Sequence, residues 1–390
     1  MNPPRVLRSA LAAAAIAGFV AACAPPAPKP VSFTPVSYDE LAGWQTSTPG
    51  DALVAFRRSC ARLAAMSPDI AVGHPSLQVR ARDWRHVCGV AKTVNVSDHA
   101  AARRFFETHL TPHRVDGRGG PEGLFTGYFE AELHGAREPS PRYRVPLYKR
   151  PDDLVSVDLG AFRQEWNGQR VVGRVQDRRL VPYSTRAEID SGVLAGRGLE
   201  LLWVDDPIDA FFFHVQGSGR ILLDDGTAVR VGFDGRNGHP YTAIGRELIR
   251  RGVISREDMS MQAIHEWLAA NPAEAPKVMA ENASYIFFRS IEGPGPIGAQ
   301  GVVLTPGRSL AVDRTVIPLG APLWLETTDP FHPGRPLRQL VIAQDTGSAI
   351  TGAVRGDLFW GAGKAAETAA GSMKQPGRYF LLLPFRARGE

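Results

Sequence analysis

Beyond its first 22 residues, the 390-residue chain has no run approaching the roughly 20 apolar residues that a membrane-spanning helix needs. Cysteine is scarce, with three in all, which excludes a disulfide-rich scaffold. The ten histidines form no metal pattern. His109 and His113 have ligand spacing for a helix, but Pro112 breaks the helix between them. Gly361-Ala362-Gly363-Lys364 lacks the spaced first glycine and the following Ser or Thr of a phosphate-binding loop. Gly217-Ser218-Gly219 is not the Gly-x-Ser-x-Gly of a nucleophile elbow. The net charge is +5, yet basic residues are scattered and form no nucleic-acid patch. Neither a metal nor a cofactor is expected, and there is no internal repeat.

With 44% hydrophobic residues the chain can bury a sizeable core, and its 40 Gly and 31 Pro favour strands and turns over long helices. The first 22 residues read as a signal peptide, with Arg5 and Arg8 preceding the uncharged run from Ala10 to Ala22. Val20-Ala21-Ala22-Cys23 resembles the lipobox of bacterial lipoproteins, in which the cysteine becomes the lipid anchor. An ordinary secretory cleavage after Ala22 is the plainer alternative. Residues 23–37 follow as anchor and proline-rich tether. In an exported protein Cys60 and Cys88 either pair as one disulfide or stay as two buried thiols.

Three textures follow. Residues 38–122 are patterned as helices. Leu53, Phe56, Cys60 and Leu63 fall at helical spacing after Pro49-Gly50, and Ser97 is a candidate cap for a second helix. Residues 123–240 alternate short β-like runs with turns, including Phe125 to Leu133, Ala210 to Val215, and a hairpin around Asp224-Asp225-Gly226. Helices return after Tyr241, with Ser255 to Asp258 as a capping box, and from Tyr285 to Pro384 the pattern is β again. The fold class expected is mainly β with helices (α+β).

Chemistry concentrates between Gln344 and Gly361, where Asp345 and Asp357 lie among glycines after the apolar strand Leu340 to Ala343. Carboxylates crowded by apolar neighbours can acquire the raised pKa of a general acid. Read alone, the two aspartates are equally able to cap turns in a Gly-rich loop.

This segment resembles the C-terminal signature of the membrane-bound lytic transglycosylase A family, whose last domain is named for three aspartates. The first resembles Asp313 in Ala311-Val312-Asp313-Arg314, the second Asp345, and the third Asp357 in Gly356-Asp357-Leu358-Phe359-Trp360-Gly361. Further matches run in family order: Phe125-Thr126-Gly127-Tyr128-Phe129, Ser184 to Ile189, Val215 to Gly219, Asn237 to Tyr241, and Glu257 to Gln262. The Asp345 to Asp357 spacing is slightly longer than in enterobacterial members.

The resemblance implies a double-psi β-barrel catalytic domain with a second β domain inserted into it, and a groove between them for a peptidoglycan glycan strand. On this reading 123–240 is the inserted β domain, 241–390 the helical return and three-aspartate barrel, and 38–122 a helical part packing on the barrel. It implies cleavage of the bond from N-acetylmuramic acid to N-acetylglucosamine with a 1,6-anhydro product, and Asp357 as acid/base. Asp345 is expected to support it and Asp313 to be structural. Gln216, Ser218 and Gly219 are candidates to line the groove, with a strand bend as the alternative reading; Thr126, Tyr128 and Trp360 are further groove candidates. The implied setting is the periplasmic face of the outer membrane, as a lipoprotein, with other cell-wall enzymes as candidate partners.

Two rivals remain at this level. Asp345-Thr346-Gly347-Ser348 is similar to an aspartic-protease signature, but its literal partner Asp190-Ser191-Gly192 follows no apolar strand. A non-catalytic peptidoglycan-binding lipoprotein would use the same groove for retention alone.

Overall fold

The computed structural model describes residues 30–347 and 349–385; the expected signal segment and the anchor Cys23 lie outside the described residues. The first helix, Gly50–Ala65, buries Leu53, Phe56, Cys60 and Leu63 on one face. Cys60 is disulfide-bonded to Cys88, with Cα atoms 5.3 Å apart, which ties this helix to Arg85–Ala91. The next helix, His99–His109, is capped by Asp98 rather than by Ser97. Asp98 has extended backbone and accepts from Ala101 N at 2.9 Å, while the N–H of Ser97 is turned onto Asn95.

Six strands close into a barrel. In ring order they are Gly123–Ala136, Lys374–Pro384, Pro322–Thr328, Pro336–Asp345, Ser309–Val312 and Arg355–Ala362, which returns to Gly123–Ala136. Two of these pairings are parallel: Ser309–Val312 with Pro336–Asp345, and Arg355–Ala362 with Gly123–Ala136. The apolar run Leu340 to Ala343 is fully buried, as a central strand covered on both faces must be. Its neighbours in the core include Trp44, Phe56, Leu323, Trp324 and Tyr379.

Outside the ring, Leu110–Asp116 pairs with Lys374–Pro384 and carries Ser32–Pro35 as an edge strand. Those four residues were expected in a free tether. They are instead held by main-chain pairing, with Phe33 packed against the core and Pro35 at an edge position that needs no second ladder.

The strand Gly123–Ala136 is long enough to leave the barrel and enter a second sheet. Its far half pairs with Ser218–Leu223, which pairs with Ala228–Arg236 and through it with Ile286–Ile291. Glu200–Val204 and Val145–Tyr148 complete the other side. This sheet passes the boundary expected at residue 240, because Ile286–Ile291 comes back to it after the helices Ile244–Arg250, Met261–Ala270 and Ala275–Ala280.

Two local expectations are corrected. Ala210 to Val215 is not a strand but part of the helix Pro207–Gln216. The Asp206 carboxylate accepts from Ile208 N at 2.7 Å and Asp209 N at 3.1 Å, and Pro207 occupies the first turn. Ser255 accepts from Asp258 N within a loop, while the helix Met261–Ala270 takes its cap from Ser260.

Gly219 sits where the helix Pro207–Gln216 crosses the second sheet. A Cβ there would lie 2.4 Å from both Ala131 O and the Phe213 ring. Gly219→Val is expected to destabilise by about 1–3 kcal/mol through overpacking, read as a lowered urea midpoint. An unchanged midpoint would show that this crossing has room to yield.

Candidate active site

Asp357 lies in the barrel strand Arg355–Ala362 and pairs in register with Thr126, while Phe359 pairs with Tyr128. Side chains alternate along a strand, so Thr126, Tyr128, Asp357 and Phe359 share one face. Thr126 Oγ1 donates to Asp357 Oδ1 at 2.6 Å. Among the described residues no donor is bonded to Asp357 Oδ2. Tyr128 packs its ring against Phe359 and donates its hydroxyl to Asp345 Oδ2 at 2.9 Å. Thus two side chains on one strand hold the two aspartates on one face.

The aspartates differ in their surroundings. Asp345 ends its strand and accepts through Oδ1 from Ala299 N at 2.8 Å and Thr346 N at 2.9 Å, besides the tyrosine. Asp357 is held above the ordinary carboxylate range, chiefly by burial. The Thr126 hydrogen bond and the Arg355 guanidinium pull it down, and the Asp345 charge pushes it up. Burial also pushes the Tyr128 hydroxyl far up, helped by Asp345, so it stays a donor. One carboxyl biased toward its protonated form thus stands beside one that accepts three hydrogen bonds. The two share no hydrogen bond among the described residues, unlike the proton-sharing pair of an aspartic protease. Asp190, the literal protease partner, ends the helix Arg186–Asp190 within the inserted region, near the buried Arg186.

The chain is similar to proteins already described. A family model described as the MltA specific insert domain matches residues 124–289, and one described as the 3D domain matches residues 308–383. The crystal structure of MltA from Neisseria gonorrhoeae superposes with a TM-score of 0.78 at 35% identity, covering 92% of this chain and 94% of that one. That of Escherichia coli MltA with bound chitohexaose gives 0.61 at 25% identity, covering 92% and 95%. A membrane-bound lytic murein transglycosylase A of Vibrio cholerae is 34% identical over 265 residues, which span 66% of this chain and 65% of the relative's own length.

The chain belongs to the membrane-bound lytic murein transglycosylase A (MltA) family.

The first of the three aspartates, Asp313, accepts from Thr315 N at 3.0 Å, Thr315 Oγ1 at 2.6 Å and Gly352 N at 2.8 Å. Burial raises its pKa, but these donors outweigh it and leave the carboxyl below its ordinary value. It ties the end of Ser309–Val312 to the loop that leads into Asp357. Trp360 faces the opposite side of its strand from Asp357. Its ring covers Gly127, where a Cβ would lie 2.7 Å away, and its Nε1 donates to Met373 Sδ at 3.4 Å. Gln216 ends the helix Pro207–Gln216, and Ser218 and Gly219 open the strand after it; Gln216 and Ser218 are exposed and Gly219 is buried. Gly219 is in register with Ala131, five residues beyond Thr126, or roughly 16 Å at the rise of a strand. These three are therefore not brought against Asp357 but lie beside a later stretch of Gly123–Ala136. The backbone donor Ala299 was missed by sequence reasoning, since a main-chain N–H leaves no residue-type signal.

Because the fold resists ionising Asp357, its charge weakens the protein above its raised pKa and costs nothing below the ordinary aspartate value. Asp357→Asn is expected to melt no lower than the parent chain at neutral pH, with any gain fading in acid. A clear loss of melting temperature at neutral pH would instead make the Asp357 charge a structural requirement.

Proposed function

We propose that this protein is a peptidoglycan lytic transglycosylase that cleaves the β-1,4 bond between N-acetylmuramic acid and N-acetylglucosamine and forms 1,6-anhydro-N-acetylmuramic acid. The observation that carries the reading is a half-buried carboxyl, Asp357, with a raised pKa, one oxygen held by Thr126 and the other unengaged among the described residues. Family membership and the chitohexaose bound to the Escherichia coli relative support a glycan as the substrate.

A hydrolase would need two carboxylates, one for the leaving group and one for water or the sugar. Here a single group can serve twice. Asp357 gives its proton to the glycosidic oxygen as the bond to C1 breaks, and N-acetylglucosamine leaves with a free 4-hydroxyl. The resulting carboxylate takes the proton of the muramoyl C6 hydroxyl as that oxygen bonds to C1. No water is consumed, and Asp357 ends protonated as it began. The attacking hydroxyl belongs to the same sugar, so its effective concentration is high and needs no separate base to position it. Asp345, held by three donors, is placed to stabilise the positive charge that develops at C1. Gln216, Ser218 and Gly219 are assigned to more distant stretches of the glycan groove. Trp360, packed over Gly127 on the opposite face, is assigned to support of the strand pair rather than to the glycan, and Tyr128 to the orientation of Asp345.

Soluble protein and purified sacculi test the reading by mass spectrometry of the released sugars. Fragments one water lighter than hydrolysis products are expected, and Asp357→Asn should abolish them while the protein stays folded. Hydrated fragments would make the enzyme a muramidase, and retention on sacculi without release would leave a binding protein.

The lipobox reading of Val20 to Cys23 supports attachment through Cys23 and residence at the periplasmic face of the outer membrane. Among the described residues no helix is long and apolar enough to cross a membrane. Labelled palmitate should enter the parent chain and not Cys23→Ala; equal labelling of both would remove the anchor from Cys23.

A further inference from the structure

Arg355 stands two residues before Asp357 on the same strand, so both side chains rise from one face. Its guanidinium donates to Leu124 O at 3.2 Å, to Gly356 O at 2.5 Å, and to Thr126 Oγ1 at 2.9 Å. A guanidinium has donors and no acceptor. The Thr126 oxygen therefore accepts from Arg355, and the guanidinium charge turns its single hydrogen away, toward Asp357 Oδ1 2.6 Å distant. A hydroxyl oxygen has a second lone pair, so Arg355 biases this direction rather than forcing it, and without Arg355 the bias is lost and the contact can run either way. Thr126 can donate to the carboxyl, or it can accept a proton that Asp357 carries on Oδ1. In the second arrangement the proton points into the barrel wall and away from substrate.

We propose that Arg355 is a positioning residue for the transglycosylase reaction: by favouring Thr126 as a donor, it steers the catalytic proton to Asp357 Oδ2. The inference rests on the reading of Asp357 as acid/base. It makes one oxygen responsible for both half-steps. Oδ2 releases its proton to the glycosidic oxygen, and the same Oδ2 later takes the C6 hydroxyl proton, while Oδ1 keeps the Thr126 hydrogen bond throughout. The guanidinium is itself anchored by two main-chain carbonyls, so it does not follow the proton. The other charged group that acts on this carboxyl is Asp345, whose oxygens are occupied by Tyr128, Ala299 and Thr346.

The test is a double-mutant cycle on the mature chain acting on soluble glycan strands, with kcat, KM and pH profiles measured for each variant. Arg355→Gln is expected to lower kcat roughly tenfold or more with little change in KM, since it touches proton transfer and not glycan binding. Activity requires protonated Asp357 and fades as pH rises through its pKa. Loss of the positive charge that lowers this pKa moves the alkaline limb to higher pH. Arg355→Lys keeps the charge without the three-way fork, so it should hold the limb near its parent position and recover part of kcat. In a Thr126→Val background, Arg355→Gln should change kcat by no more than about twofold, because the relay is already cut.

Fully additive losses in the cycle, or a parent-like kcat and limb in Arg355→Gln, would overturn the proposal. If Arg355→Gln fails to fold, the Arg355→Lys cycle against Thr126→Val decides by the same criterion. Asp357→Asn is assayed alongside. Turnover in that variant would overturn the acid/base reading itself, whereas an inert Asp357→Asn with an additive cycle would remove Arg355 alone.

Discussion

The main-chain ladder along Gly123–Ala136 is the interaction on which both sheets and the site depend. Its first half closes the barrel, parallel to Arg355–Ala362 on one side and antiparallel to Lys374–Pro384 on the other. Its second half carries Ser218–Leu223 and, through it, the rest of the second sheet. A slip of one residue would turn Thr126 and Tyr128 away from Asp357 and Asp345, since strand side chains have a period of two. The register is guarded by close approaches that only glycine permits. A Cβ on Gly123 would meet Val354 O at 1.7 Å, and one on Gly127 would meet the Trp360 ring and Ala370 Cα at under 3 Å.

Placed on that frame, three aspartates of one residue type acquire different properties from the donors around them. Asp313 collects three hydrogen bonds at a loop and is driven to the ionised form. Asp345 collects three at the end of a buried strand. Asp357 has one among the described residues, from Thr126, and burial dominates, so it keeps a proton more readily. Environment, rather than residue identity, separates the proton carrier from its neighbours.

The same rule explains which local expectations failed. Ala210 to Val215 is apolar throughout and reads as a buried strand or a buried helix with equal ease. The deciding signals, Asp206 and Pro207, lie just upstream, where the capping carboxylate and the proline set the first turn. Ser97 and Ser255 were sound cap residues one to five positions too early, because neighbouring Asp98 and Ser260 hold the required extended backbone. Ser32–Pro35 had the composition of a linker, and only pairing with Leu110–Asp116 makes it a strand.

The barrel strand Leu340 to Ala343, the first helix with its apolar stripe, and the crowding of Asp345 and Asp357 into one segment were all legible in the chain itself. Each is a local pattern of apolar period, glycine density and carboxylate spacing. What only the tertiary structure decided is which partners meet across the fold. Thr126 reaches Asp357 across 231 residues of sequence, Tyr128 reaches Asp345 across 217, and Ala299 reaches Asp345 across 46. These contacts come from strand register and barrel closure, which are global properties of the backbone that no local window of residues encodes.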